Sequence, residues 1–153
     1  MKNNDITGNY PAQMPIITVR TRFIGKQMAK PKILVIDDQP QVTELVKLSL
    51  DNTGNYEVEV ENDALKALEK VRAFVPDLVF LDVMLPGLSG AEIANQILED
   101  DALKDTRIVF LTSIVSRQEA EDKGGEIAGR RFLAKPVKLE ELVACIDEEL
   151  AEE

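Results

Sequence analysis

Five short apolar runs, separated by amphipathic stretches, constrain the fold of this chain more than any other feature of its sequence. The runs are Ile33 to Ile36, Tyr56 to Val60, Leu78 to Leu81, Ile108 to Leu111 and Phe132 to Ala134. The first, third and fourth are apolar throughout, as parallel strands covered by helices on both faces are, whereas the second alternates like an edge strand. The pattern therefore predicts an α/β fold of five βα units on an open, doubly wound, five-stranded parallel sheet.

The stretches between these runs carry apolar residues at helical spacing. Pro40 stands where a first helix would begin, Asn62 is placed to cap a second, and Pro76 lies just beyond its end. The apolar positions of the predicted helices are Val42, Leu45, Val46, Leu50, Leu65, Leu68, Val71, Phe74, Ile93, Ile97, Leu98, Leu139, Leu142, Val143, Ile146 and Leu150. A fourth helix, around Ser116 to Ile127, is expected to be short or mobile, because glycines such as Gly124 cost about 1 kcal/mol relative to alanine in a helix interior.

The composition excludes several kinds of active site and partner. Histidine is absent and cysteine occurs once, so histidine-based triads, histidine-ligated zinc and a disulfide framework are not available. The net charge of −10 makes direct binding to nucleic acid or an anionic membrane unfavourable. No apolar run approaches the roughly 20 residues that a bilayer requires, and the first thirty residues do not read as a secretory signal. We therefore expect a cytoplasmic protein without nucleic-acid or membrane partners.

Residues 1–29 differ from the rest of the chain in charge and pattern. They contain four basic residues and one acidic residue, a net charge of +3, which leaves −13 for the remainder. Within them, Ile17 to Phe23 alternates apolar or threonine side chains with polar ones, as a strand does. We expect residues 1–29 to be an N-terminal extension, loosely ordered or carrying one added strand, and residues 30–153 to form the domain. Met28 is an alternative start, so the extension could come from an upstream initiation codon.

Polar residues follow the apolar runs at the points where strands would end. They are Asp37 and Asp38 after the first, Asp82 after the third, Thr112 after the fourth and Lys135 after the fifth. Ligands bind at the carboxyl ends of parallel strands, so these side chains are expected to converge. Three carboxylates about 5 Å apart repel by roughly 3 kcal/mol per pair at an effective dielectric near 20 and would take up protons or recruit a cation. An incomplete, oxygen-only site suits Mg²⁺.

Four motifs in a fixed order extend this pattern into a family resemblance. They are Ile33 to Asp38, Leu81 to Gly90, Leu111 to Ser113 and Ala134 to Pro136. Together they resemble the receiver domain of two-component response regulators, of the single-domain, chemotaxis-regulator type, over about residues 31 to 150. The resemblance implies a flavodoxin-like strand order, 2-1-3-4-5.

The resemblance also implies a chemical role for each strand-end residue. Asp82 would accept a phosphoryl group from the phosphohistidine of a sensor histidine kinase or phosphotransfer protein, or from a small acyl phosphate. Asp37, Asp38, Asp82 and the backbone carbonyl of Met84 would hold Mg²⁺. Lys135 and Thr112 would donate hydrogen bonds to the added phosphoryl oxygens.

A conformational switch is implied by the same resemblance. Phe132 matches the aromatic residue that turns inward when the threonine, here Thr112, moves toward the phosphoryl group. Lys135 and Pro136 would be joined by a cis peptide bond. The face built from the fourth helix, fifth strand and fifth helix would then change its affinity for an unidentified downstream protein or for a second copy in a homodimer.

Three functions remain open from the sequence. The first is a stand-alone receiver that acts as a phosphoacceptor and not as an enzyme on an external substrate, although it would catalyse its own phosphorylation and slow dephosphorylation. The second is a receiver-fold binding module that works without phosphorylation. The third, a phosphohydrolase of the haloacid dehalogenase type, is disfavoured because such enzymes need a second aspartate two residues after the first, where this chain has Met84.

Overall fold

The computed structural model describes residues 22–24, 27–113, 126–127 and 129–151. Its strands are β1 (Arg22–Ile24), β2 (Gln27–Ala29), β3 (Lys32–Ile36), β4 (Glu57–Glu61), β5 (Leu78–Asp82), β6 (Arg107–Thr112), β7 (Glu126–Ile127) and β8 (Arg130–Ala134). Its helices are α1 (Pro40–Asp51), α2 (Ala67–Phe74, preceded by the 3-10 turn Ala64–Lys66), α3 (Gly90–Glu99) and α4 (Leu139–Ala151). Within these ranges, none of the helices combines the length and apolar character that crossing a bilayer requires.

The main sheet contains the five predicted strands in the predicted order. Its strand order is β4-β3-β5-β6-β8-β7, and the pairs from β4 to β8 are all parallel. Counting only the parallel strands, this is the order 2-1-3-4-5 with β4 at the edge. The predicted fold class is therefore confirmed, and the carboxyl ends of the two central strands β3 and β5 lie side by side.

Alternating side chains of the strands build a core on each face of the sheet. Leu34, Ile36 and Leu81 pack on one face with side chains of α2 and α3. Ile33 and Val35 pack on the other face with side chains of α1 and α4. Helices thus cover both faces, which is why the central strands are apolar throughout.

The amino-terminal extension contains two described strands, whereas the sequence indicated one. β1 and β2 pair antiparallel, with Arg22 opposite Ala29. Gly25 and Lys26, between the two strands, lie outside the described residues. Residues 17–21 of the predicted strand lie outside the described residues.

The predicted fourth helix does not extend to Ile127. Glu126 and Ile127 form β7, which pairs antiparallel with β8. Gly129 between them has a φ of +75°, which glycine adopts without steric cost. Residues 114–125, which hold the rest of the predicted helix, lie outside the described residues.

Three apolar residues assigned to helix cores are exposed instead. Leu45 on α1, Leu65 in the turn before α2 and Leu139 at the start of α4 are 61%, 73% and 36% exposed. The buried face of α1 consists of Thr43, Val46 and Leu50. The apolar spacing predicted both α1 and α2 correctly, but it did not predict which of their apolar residues are buried. Leu65 belongs to a 3-10 turn, whose periodicity differs from that of an α-helix.

Tyr56, just before β4, buries a hydroxyl that has no hydrogen-bond partner within the described part of the chain. Burial, and then the charge of Asp147, raises the pKa of Tyr56 to about 12. We expect Tyr56→Phe to raise the free energy of unfolding by about 1 kcal/mol, because a buried, unsatisfied hydroxyl is removed.

The same substitution should change the response to alkali. The folded state holds the tyrosine proton more tightly than the unfolded state, so the wild type should lose stability between pH 10 and about 12, and the Phe variant should lose less. Urea denaturation at pH 7 and pH 11 measures both effects. A Phe variant less stable than the wild type at pH 7 would show that the hydroxyl is satisfied.

Candidate functional site

Three carboxylates meet at the carboxyl edge of the sheet. Asp37 and Asp38 follow β3, Asp82 is the last residue of β5, and each of the three offers an oxygen within 4.8 Å of the others. Asp37 is fully buried and Asp82 nearly so, whereas Asp38 is exposed. The parallel pairing of β3 and β5 thus brings together acids that are distant in sequence.

Lys135 faces this cluster from the loop after β8. Its Nζ lies 2.5 Å from Oδ2 of Asp37 and 3.3 Å from Oδ2 of Asp82. Its backbone N–H donates to the carbonyl of Thr112 at 2.9 Å, and its peptide bond to Pro136 is cis, as the resemblance implied. One ammonium group therefore lies against two carboxylates that would otherwise repel each other.

The charges at the site shift two pKa values. Burial, and then the charge of Asp37, raises the pKa of Asp82, although Lys135 and the Met84 N–H work to lower it. Burial works to lower the pKa of Lys135, but its hydrogen bond to Asp37 and the two carboxylate charges outweigh burial and raise it. The lysine thus stays charged, and an added cation at the acids would offset the remaining repulsion.

Hydrogen bonds fix the carboxylates in place. The Gln39 N–H donates to Oδ1 of Asp37 at 2.9 Å, and the Met84 N–H donates to Oδ1 of Asp82 at 3.3 Å. Asn62 Nδ2 donates to the backbone carbonyl of Asp37 at 2.8 Å. The prediction that Asn62 caps the second helix was wrong: Asp63 makes the cap by accepting from the Leu65 N–H.

The role of Asn62 is a tertiary one that sequence reasoning missed. Besides Asp37, its Nδ2 contacts Oγ1 of Thr43, a fully buried hydroxyl on α1. Asn62 thus ties the end of β4 to the loop that carries two of the acids. A short polar residue directly after an edge strand gives no signal of such a contact, because its partners come from other elements.

The backbone at Gly90, after the loop that follows β5, packs tightly against the backbone of Asp82. The Gly90 N–H donates to the Val83 carbonyl at 3.0 Å, and a Cβ added at Gly90 would lie 2.3 Å from the carbonyl oxygen of Asp82. Ser89 and Glu92 form a capping box at the start of α3. The spacing Ser-x-x-Glu was a readable signal for this helix start.

The remaining predicted residues are Thr112, Phe132 and Met84. Thr112, at the end of β6, is fully buried and is paired in register with Ala134. Phe132 on β8 is also buried, opposite Phe110. The Met84 side chain is 64% exposed.

The donor set fits a hard divalent cation. All three side chains offer carboxylate oxygens, which Mg²⁺ prefers over nitrogen or sulfur ligands. The exposed position of Asp38 leaves one side open to solvent. The acidic cluster is thus suited to hold a metal ion and leave room for an incoming group.

The fold and this site define a class of signalling domain. A family model described as the response regulator receiver domain matches residues 33–147. The chain therefore belongs to the response regulator receiver domain family, and receiver domains are signalling domains.

Relatives with known names agree with this assignment. The chain is 37% identical to the transcriptional regulatory protein TrcR of Mycobacterium tuberculosis over 116 residues, which is 74% of this chain and 42% of that protein. It is 39% identical to the response regulator MprA of Mycobacterium leprae over 118 residues, which is 75% of this chain and 49% of that protein. The chain thus matches about half the length of these two relatives.

Solved structures show the same fold. A putative response regulator from Chloroflexus aurantiacus superposes with a TM-score of 0.69 at 30% identity, covering 80% of this chain and 99% of that one. The chemotaxis protein CheY4 of Vibrio cholerae superposes with a TM-score of 0.66 at 28% identity, covering 78% of this chain and 98% of that one. The predicted resemblance to chemotaxis-type receivers is confirmed at the level of the fold.

Proposed function

We propose that this domain is a Mg²⁺-dependent phosphoacceptor, with Asp82 as the residue that receives the phosphoryl group. One observation carries the proposal: three carboxylates, each offering an oxygen within 4.8 Å of the others, meet at the carboxyl edge of the sheet, and Lys135 contacts two of them, in a chain of the receiver family. Phosphoryl transfer needs positioning and charge neutralisation more than covalent chemistry by the protein. A buried carboxylate next to a cation site and an ammonium group supplies both.

The proposed reaction is a direct transfer. A carboxylate oxygen of Asp82 forms a bond to the phosphorus of a kinase phosphohistidine while the phosphorus–nitrogen bond breaks, and the released imidazole takes a proton from solvent. With a small acyl phosphate, the bond that breaks is the phosphorus–oxygen bond. The product in both cases is an aspartyl phosphate at position 82.

The other residues of the site would stabilise the added charge. Mg²⁺ would be held by Asp37, Asp38, Asp82 and the Met84 backbone carbonyl. When bound, it would offset the negative charge of the phosphoryl oxygens. Lys135 would exchange a carboxylate partner for a phosphoryl oxygen, and the Thr112 hydroxyl would donate to another.

The same transfer would start the switch. Phe132 lies opposite Phe110 in the β6–β8 pair, two residues before the position of Thr112, and a movement of the threonine toward the phosphoryl group would leave space for the ring to turn. The described part of the expected output face is β8 and α4. We propose that this face changes its contacts with a downstream protein or with a second copy, and that the domain meets its histidine kinase or phosphotransfer protein in the cytoplasm.

Incubation with acetyl phosphate and Mg²⁺ tests the proposal. We expect one adduct of about 80 Da in the intact mass, which corresponds to one phosphoryl group. Removal of Mg²⁺ with a chelator should prevent it. Asp82→Ala should abolish the adduct, and Asp101→Ala, which changes an exposed aspartate in the loop after α3, should leave it unchanged.

The alternatives predict different results. A receiver-fold module that works without phosphorylation would acquire no adduct under any of these conditions. A phosphohydrolase would release inorganic phosphate continuously from an excess of donor, at many turnovers per minute. An adduct of undiminished stoichiometry in Asp82→Ala would reject the assignment of the acceptor.

A further inference from the structure

The end of β4 holds the backbone on both sides of Asp37. The Asp37 N–H donates to the Glu61 carbonyl at 3.2 Å, and the Asp37 carbonyl accepts from Nδ2 of Asn62 at 2.8 Å. That carbonyl belongs to the peptide group that joins Asp37 to Asp38. Asn62 therefore fixes the orientation of the peptide group between two of the three acids.

The Asn62 amide is itself held in place by Thr43 on α1. Its Nδ2 lies 2.9 Å from Oγ1 of Thr43, and that hydroxyl donates to the Pro40 carbonyl at 3.1 Å. An amide nitrogen carries two N–H donors, so one serves the Asp37 carbonyl and the other serves the Thr43 oxygen. Because Thr43 is fully buried, the amide has one orientation that satisfies both donors.

Asp38 depends on this backbone more than the other two acids do. Lys135 contacts the carboxylates of both Asp37 and Asp82 and helps to hold them. The Asp38 carboxylate is exposed, and within the described ranges it accepts no hydrogen bond and forms no ion pair. Its position is therefore set by the backbone that carries it, which includes the peptide group that Asn62 holds.

The affinity of a site for magnesium depends strongly on where its ligands lie. Mg²⁺ requires nearly ideal octahedral geometry, with ligand oxygens at about 2.0–2.1 Å. Polar groups that hold metal-ligating side chains in place typically contribute about 10- to 100-fold to metal affinity. A neutral amide that orients the peptide group between Asp37 and Asp38 should therefore change the affinity for Mg²⁺ without changing the charge of the site.

We propose that Asn62, supported by Thr43, is a positioning residue of the acidic cluster and sets its affinity for Mg²⁺. Asn62 would contact neither the cation nor the phosphoryl group, and would act only by holding the peptide group between Asp37 and Asp38. This inference rests on the proposed function, because it takes Mg²⁺ as the cation of the site.

Isothermal titration calorimetry of the full-length chain with Mg²⁺ alone, without a phosphoryl donor, tests the proposal. We expect Asn62→Ala to raise the dissociation constant for Mg²⁺ about tenfold, because both N–H donors are lost. Asn52→Ala is the matched control. Asn52 is exposed and follows the far end of α1, about 18 Å along the helix from the acids, so this variant should bind Mg²⁺ as the wild type does.

Two substitutions of Thr43 separate its hydrogen bond from its packing. Thr43→Val keeps the branched shape but removes the hydroxyl, and we expect it to raise the dissociation constant for Mg²⁺ about threefold or more. Thr43→Ser keeps the hydroxyl but loses a buried methyl group, so it should be less stable in urea and still bind Mg²⁺ with wild-type affinity. Equal Mg²⁺ affinities in the two variants would overturn the role of Thr43.

Circular dichroism before each titration verifies that the variant is folded, and Thr43→Val carries the test if Asn62→Ala does not fold. Wild-type Mg²⁺ affinity in a folded Asn62→Ala chain would overturn the proposal, even with lower stability in urea, because Asn62 would then be only structural. That result would leave the proposed phosphoacceptor function intact. A wild-type chain that bound no Mg²⁺ would instead contradict the proposed function itself.

Discussion

In Lys135→Met, measured without divalent metal, we expect the free energy of unfolding to fall by about 3 kcal/mol. The Lys135 Nζ lies 2.5 Å from the fully buried carboxylate of Asp37 and 3.3 Å from Asp82, and the variant leaves both charges without this partner. Removing one member of a buried ion pair typically costs 3–5 kcal/mol. Mg²⁺ should recover most of the loss, because a bound cation offsets the same repulsion.

Urea denaturation with and without Mg²⁺ checks this result, and Lys138→Met is the matched control. Lys138 is exposed three residues later in the same loop, so its replacement should cost less than about 0.5 kcal/mol in either condition. If Lys135→Met lost no more stability than Lys138→Met, the lysine would not be the partner that stabilises the acidic cluster.

Gly90→Ala should lower the free energy of unfolding by about 3 kcal/mol and slow the phosphorylation of Asp82. The added Cβ would lie 2.3 Å from the Asp82 carbonyl oxygen and 3.0 Å from the Val83 Cα. Both contacts are with backbone, so no flexible side chain can move aside, and the end of β5 must shift. Overpacking that forces such backbone shifts costs about 1–3 kcal/mol and occasionally more.

Gly54→Ala separates crowding from the general cost of replacing a glycine. Gly54 has a φ of +74° with no atom within 4 Å of an added Cβ, so only backbone strain of about 1 kcal/mol is expected there. Its phosphorylation rate should match the wild type. Equal losses of stability in the two variants, measured by urea denaturation, would contradict the tight packing of Gly90 against the acceptor strand.

The sequence was most informative where burial and periodicity agree. The apolar runs before Asp37 and Asp82 had to be covered strands, since their residues alternate between two faces that are both buried. The convergence of Asp37, Asp38 and Asp82 followed from parallel strand ends meeting at one edge. These predictions depend only on the apolar character and the order of residues within each strand.

The failures concern contacts between elements that are distant in sequence. Asparagine is a common helix-capping residue, but the Asn62 side-chain amide donates instead to the backbone carbonyl of Asp37, which is 25 residues away in the sequence. Leu65 fits a helical stripe, but it lies in a 3-10 turn and stays exposed. Lys135 was expected to converge with the acids, and it does, but its close contact with Asp37 in particular could not be read from the spacing of the strand ends.

Mapping the phosphoryl group to a residue tests the central claim most directly. After incubation with acetyl phosphate and Mg²⁺, reduction with borohydride converts an acyl phosphate into an alcohol, and tandem mass spectrometry of the digested protein then locates the altered side chain. We predict a single altered residue, Asp82. An altered Asp37, Asp38 or any other carboxylate, with Asp82 unchanged, would contradict the account.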